Sequence, residues 1–316
     1  MNEILTSPEG LYPIRTVAGL TGINPVTLRA WERRYGLIKP KRTPKGHRLY
    51  SAQDVAQIQR ILQLIDQGVA IGQIKNVMLS APAGPGADVA EMLPGTIVQG
   101  SGPWEQTIER IMGAAARFDP GTLDAVYNDA MALYPLEPIT RHLTLPLLRR
   151  LRERRFETSA AEAQERFVRT YLRYKLGSRY HHQFHQTQGP KLMGACLPGE
   201  TSEVELLLFA LAALTHGYRV VSLGPDVPLA PLAKALQDSS CQALILFGNQ
   251  EPEPLVVHTQ LVELAANCRA PVFVSGEIAQ RLTEPLRRAG ATPLPAEAGK
   301  ALAEIKAQLS QSSPSA

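Results

Sequence analysis

The side chains best suited to gripping a polyanion are concentrated in the first 78 residues. This segment holds eleven Lys or Arg against five Asp or Glu, a local charge of +6, whereas the rest of the 316-residue chain carries −2 and the whole chain +4. Cations bunched in this way neutralise phosphates, and a nucleic-acid duplex presents them at high density. The candidate DNA-contacting groups are Thr16, Thr27, Arg29, Arg33, Arg34 and Tyr35, followed by Lys41, Arg42, Lys45, His47, Arg48 and Tyr50. Arginine can hold a phosphate or pair bidentately with guanine, and the residue type alone does not say which. Thr27, Arg29 and Arg33 are expected to face the groove. Leu28 and Trp31 are expected to face the core, with Trp31 structural.

Other constellations carry less chemistry. His181, His182 and His185 have helix-compatible metal spacing, but no carboxylate or thiol lies close by, so a surface or packing role is expected. Arg149, Arg150, Arg152, Arg154 and Arg155 form a basic helix end, read as a solvated face or as a seat for an anionic partner, a guanine dinucleotide included. Glu200 and Asp226 read as loop and helix-cap groups. No nucleophile, base and orienting group occur together at motif spacing, so no enzymatic activity is expected. Cys196, Cys241 and Cys268 are odd in number and far apart, which predicts buried free thiols rather than disulfides.

These groups need elements to position them. Asn24 before Pro25 is a helix start, and Gly36 is a helix stop, so helices over 14–20 and 26–35 flank a tight turn. The stretch LIKPKRTPKGHRLY over 37–50 reads as a hairpin or wing, and Ser51 with Asp54 caps a further helix to about Asp66, followed by one over 71–79. Residues 11–79 thus form a winged helix-turn-helix. Pro, Gly, Ala and Ser dominate 80–103, a linker. Apolar residues at helical spacing, such as Leu143, Leu147 and Leu151, make 104–188 a helical bundle. From 189 to 309, short apolar runs (KLMGACL, YRVVSLG, ALILFGN, PVFVSGE) alternate with helical stretches, the pattern of a Rossmann-like parallel sheet, with Gly224 and Gly276 at strand ends. Residues 310–316 read as a disordered tail. The fold class is multidomain, α plus α/β. No apolar run reaches the roughly 18 to 20 residues of a bilayer span, and MNEILTSPEG lacks the features of a signal peptide, so a cytoplasmic protein that does not engage membranes is expected.

The segment INPVTLRAWERRYGLIKPKRTPKGHRLYS resembles the DNA-binding domain of the MerR family. It has the Thr-Leu-Arg-x-Trp-Glu run at 27–32, the Arg-Tyr-Gly-Leu close of the helix, and the Gly-x-Arg-x-Tyr wing at 46–50. The resemblance implies binding of an inverted repeat in promoter DNA as a homodimer, contact with RNA polymerase, and association with the nucleoid. In that family a long coiled coil forms the dimer; here the Pro/Gly-rich linker stands in its place.

Residues 104–309 resemble the helical cap and cobalamin-binding domain of light-sensing MerR repressors. Pro198, Gly199, Glu200, Gly217, Leu223, Gly224, Asp226 and Pro228 match that pattern. The resemblance implies a histidine toward cobalt where this chain has Ser202, and a glycine where it has Glu205. A Glu-His pair in the cap corresponds here to Glu165-Arg166, and RERRFETSAAEAQ supplies no tryptophan. A hydroxyl is a poor substitute for imidazole toward a transition metal. Ser202 and Arg166 are therefore read as degenerate cofactor positions, no cofactor and no metal are expected, and the arrangement is similar to MlrA-type regulators. That likeness implies control through a signalling protein or a cyclic dinucleotide. The alternative is an adenosylcobalamin-dependent, light-responsive repressor.

Overall fold

Local capping chemistry sets the N-terminal helices. After α1 (Ile14–Thr21), Asn24 is extended and its side chain accepts from the Val26 N–H at 2.8 Å, with Pro25 in the first helical position of α2 (Pro25–Ala30). The expected single helix over 26–35 is split: α2 passes into a five-residue π turn, Trp31–Tyr35, closed by Gly36 in the left-handed region at φ 59°. The Leu37 and Gly36 amides reach back to the Trp31 and Glu32 carbonyls, so glycine's freedom there stops the helix.

The structure, a computed structural model, describes residues 10–80 and 102–312. The expected linker over 80–103 falls largely outside them, as do the first nine residues. Strands β1 (Tyr12–Pro13), β2 (Lys41–Arg42) and β3 (Arg48–Tyr50) make a small antiparallel sheet in the order β1-β3-β2, which is the wing. Ser51 and Asp54 form the expected capping box for α3 (Ala52–Asp66), and α4 (Ile71–Ser80) follows. Val17, Ile23, Leu28, Trp31, Tyr50, Ile58, Ile61 and Ile74 share one buried core.

The chain falls into two compact units, 1–167 and 168–316. The first contains the head just described together with α5 (Pro103–Ala116), α6 (Pro120–Leu133), α7 (Leu136–Ile139), a π turn at Thr140–Thr144 and α8 (Leu145–Glu153). Head and helices are joined by polar bonds as well as packing. The Trp31 indole donates to the Leu133 carbonyl at 2.7 Å, the Ile71 amide donates to the Tyr134 hydroxyl at 3.3 Å, and Arg141 pairs with Asp66 at 2.6 Å. A long helix, α9 (Ala161–Phe184), starts in this unit and continues into the second.

In the second unit β4 (Lys191–Cys196), β5 (Arg219–Ser222), β6 (Cys241–Phe247), β7 (Val272–Ser275) and β8 (Thr292–Pro293) form a wholly parallel sheet in the order β5-β4-β6-β7-β8. Helices cover both faces, so strand residues alternate between two cores: Leu192 and Cys196 on one side, Met193 and Ala195 on the other. The order reverses between β4 and β6, which makes the carboxyl ends of those strands the crevice of such a sheet. Cys196 and Cys241 are buried and Cys268 half-buried, and all three are free. The last helix among the described residues, α10 (Ala298–Ser312), runs through 310–312, which were expected to be disordered, and the rest of that expected tail, 313–316, lies outside the described residues. The apolar face of α10, with Ala301, Leu302 and Ile305, packs into the sheet core and carries the helix on. No helix among the described residues is long and apolar enough to cross a membrane.

The sheet's β5 margin is capped at Val220 by one hydroxyl. Tyr180 of α9 donates to the Val220 carbonyl and accepts from the Val220 N–H at 3.1 Å, supplying both bonds that a further strand would make there. Tyr180→Phe is expected to destabilise the second unit by about 1–3 kcal/mol, because it strips a buried donor and acceptor of their partner. Urea denaturation followed by circular dichroism checks it.

Candidate functional site

Two clusters bring together the groups singled out in the sequence. In the head, Arg29, Arg33, Arg34, Lys41, Arg42, Lys45 and His47 are exposed, and Thr16 is half-buried. They supply a cationic surface on α2, the π turn and the wing. Thr27 does not join it: at 2% exposure it lies in the core. The reason is helical geometry, since Thr27 stands four residues from the fully buried Trp31 and shares its face. Tyr50 is likewise buried, its hydroxyl without a partner, so it anchors the wing from inside rather than reaching outward. Burial, and then the neighbouring Glu32 carboxylate, push its pKa up to about 12. Tyr35 is half-buried and packs against the head core.

Glu32 ties the two halves of this surface together. Its carboxylate accepts from Arg42 at 2.8 Å and from Arg48 at 2.5 Å, the two wing residues that face each other across β2 and β3. Arg48, which the sequence places among the outward cations, keeps only 18% of its side chain exposed and is largely committed to this pair. Burial raises the Glu32 pKa, but the bonds from Arg48 and Arg42 outweigh it and hold the carboxyl below the ordinary glutamate range.

The second cluster lies at the carboxyl end of β4 and its neighbours. The buried Glu200 accepts from the Asn249 amide at 2.8 Å and the Ser202 amide at 3.4 Å, and burial drives its pKa up. Asp226 accepts from the Gly199 amide at 2.8 Å, and Asn249 in turn accepts from the Glu277 amide at 3.1 Å. Glu200 and Asp226 are thus loop-organising groups. Gly276, at φ 92°, lets its loop pass so close that a Cβ there would sit 2.3 Å from the Gly248 carbonyl oxygen. Ser202 is buried, and its hydroxyl accepts from Arg169 at 2.9 Å and from the Val204 amide at 3.3 Å. Arg169 also pairs with Glu205 at 3.3 Å, with 14% and 9% of the two side chains exposed. The positions above the strand glycines are occupied: a Cβ on Gly194 would meet Leu206 at 2.6 Å, and one on Gly248 would meet Leu197 at 2.8 Å. Burial raises the Cys196 thiol pKa, which keeps it protonated beneath this loop.

Arg169 and Asn249 are absent from the sequence candidates. Arg169 stands 33 residues from Ser202 on a helix, and no local pattern announces the pair; Asn249, at the end of β6 in the run FGNQ, follows the strand-end rule applied to Gly224 and Gly276. Arg166 is exposed and paired with Glu162 at 2.9 Å, whereas its neighbour Glu165 is buried. His181, His182 and His185 are exposed, and among the described residues no group of three His, Cys, Asp or Glu could hold a metal. In the basic helix end, Arg150 is held by Glu105 and Glu109, Arg154 by Glu157, and Arg155 lies 5.0 Å from the Phe156 ring centre.

Comparison with known proteins places these features. Residues 12–81 match the family model described as MerR HTH family regulatory protein. The HTH-type transcriptional repressor CarH of Myxococcus xanthus is 33% identical over 231 residues, 72% of this chain and 75% of that one. The HTH-type transcriptional regulator MlrA of Escherichia coli is 36% identical over 141 residues, 45% of this chain and 52% of that one. Among solved structures, the Methanosarcina barkeri monomethylamine corrinoid protein aligns over 65% of this chain and 98% of its own, with 13% identity and a TM-score of 0.49.

Two outcomes follow from the geometry. Arg169→Met removes the cation facing a buried carboxylate and is expected to cost about 3–5 kcal/mol, much of it regained when Glu205→Leu accompanies it; a double-mutant cycle by denaturation checks this. Glu32 has a lowered folded pKa, so its contribution is present above the ordinary glutamate value of 4.5 and is lost as pH falls through the depressed value. Acid titration of unfolding, read by fluorescence of the two tryptophans, Trp31 and Trp104, should lose that component in Glu32→Gln.

Proposed function

The chain belongs to the MerR family of helix-turn-helix regulators, and from that premise we propose that it binds promoter DNA sequence-specifically and is controlled by a C-terminal unit that works without cobalamin. DNA binding as a transcriptional regulator follows from the family. The finer reading, a regulatory, partner-binding or signal-sensing module in the second unit, rests on one observation: the hydroxyl of Ser202 is buried and already bonded to Arg169, itself paired with Glu205.

This set does not fit a histidine-held corrin. The loop offers a hydroxyl rather than an imidazole, and that hydroxyl already accepts from a guanidinium and an amide. A guanidinium has no lone pair to give a metal. Leu206 and Val220 pack against Gly194, and Leu197 and Ile278 against Gly248, so neither glycine leaves room even for a Cβ. The backbone features of the crevice, Glu200, Asp226 and Gly276, are kept, and they support a folded loop with or without a ligand.

On this reading the protein acts as a homodimer on an inverted repeat, contacts RNA polymerase at the promoter, and takes its signal from a signalling protein or a cyclic dinucleotide. Footprinting on the chain's own promoter region, together with a selection from genomic fragments, should give a protected inverted repeat. Binding that is only salt-sensitive and equal on all duplexes would overturn the DNA reading. Titration with adenosylcobalamin in the dark and in light should give no bound corrin absorbance and no change in oligomer size. Stoichiometric binding would instead support a light-responsive repressor.

A further inference from the structure

Glu32 is the only acidic residue between Glu9 and Asp54, a stretch that contains nine Lys or Arg. A carboxylate on a surface that meets phosphates repels them, so its presence there needs a compensating role. Its geometry supplies one. Trp31, the preceding residue, is fully buried, which fixes the π turn; from that fixed point the Glu32 carboxylate, itself 16% exposed, receives Arg42 on one oxygen and Arg48 on the other. These two arginines stand directly opposite each other in the wing, a placement that like charges disfavour unless a counter-charge lies between them.

We propose that Glu32 is a specificity-determining positioning residue of the DNA-binding surface, which withholds Arg42 from indiscriminate phosphate contact and holds Arg48 in place. The two arginines are not equivalent. Arg48, 18% exposed, is a strut that sets the distance from wing to recognition segment; Arg42, 51% exposed, is the one a phosphate can compete for. Competing with the carboxylate lowers the gain from any phosphate at that position. Contacts made from α2 and the π turn, which read the duplex, then weigh more in the total. Phosphate contacts set position and affinity, whereas base contacts set sequence choice, so releasing the wing cations shifts the balance toward affinity for any duplex.

This inference rests on the sequence-specific reading above, and its test separates the two. Affinity is measured by fluorescence anisotropy for the selected operator and for a random duplex of equal length, each across a series of salt concentrations, with the full chain. Glu32→Gln is expected to bind random duplex more tightly, to steepen the slope of log K against log salt by about 0.9 for each phosphate newly engaged, and to reduce the operator-to-random ratio several-fold. Adding Arg42→Gln should return the slope to the wild-type value. In the wild-type background Arg42→Gln alone should move the slope by clearly less than that increment, which keeps the idea testable even if Glu32→Gln folds poorly. An unchanged slope and ratio in Glu32→Gln, or a full increment lost on Arg42→Gln alone, would overturn the assignment. If the wild-type chain binds all duplexes alike, sequence-specific binding fails and the specificity role falls with it, while the salt slopes still decide whether Glu32 withholds Arg42 from phosphate.

Discussion

The indole of Trp31 is the joint on which the first unit is built. It sits fully buried where α2 gives way to the π turn, it belongs to the same core as α1, α3 and the wing, and its one polar atom donates to a carbonyl 102 residues away. A buried indole N–H without a partner is costly, so the head core is complete only when Leu133 is in place. The bonds from Ile71 to Tyr134 and from Asp66 to Arg141 lie around the same junction. The DNA-binding element and the helices after it therefore share one folding unit, although a Pro/Gly-rich segment separates them in sequence.

That joint also explains which residues of the recognition segment are available. Once Trp31 is inward, the residues three and four positions before it, Leu28 and Thr27, must be inward too, which leaves Arg29, Arg33 and Arg34 outside. Leu28 and Trp31 lie inward as the helical period requires, and Thr27, expected to face the groove, goes inward with them by the same period. The caps were legible because they are local: Asn24 with Pro25, Ser51 with Asp54, and Gly36 each act within four residues. The parallel sheet was legible for a similar reason, as short apolar runs between helical stretches have few other solutions. The Trp31–Leu133 bond, the Tyr180 cap and the Arg169–Ser202 pair were not, since each joins positions more than thirty residues apart and leaves no periodic trace. The π turn was hidden differently, because a change of hydrogen-bond register leaves composition untouched.

In the second unit, backbone architecture and side-chain chemistry have separated. Glu200 and Asp226 accept backbone amides, and Gly276 allows a close backbone approach; all three serve the shape of the loops. Ser202 and Glu205 stand where the resemblance implies a metal ligand and a small residue, and they are bound into an internal pair with Arg169. A motif match at the first group carried the fold, while the second group closes on itself through the Arg169 guanidinium. The sequence showed the substitutions themselves; the guanidinium that answers them came from another element.

The Tyr180 hydroxyl at the sheet margin bears on how this unit can associate. The opposite margin is β8, a strand of two residues ending in Pro293, whose ring has no N–H to offer. One edge is thus capped at Val220 by a side chain, and the other is a two-residue strand that ends in a residue without a donor. Growth of the sheet from copy to copy, the hazard of an exposed edge strand, finds no free backbone pair at Val220 and no donor at Pro293.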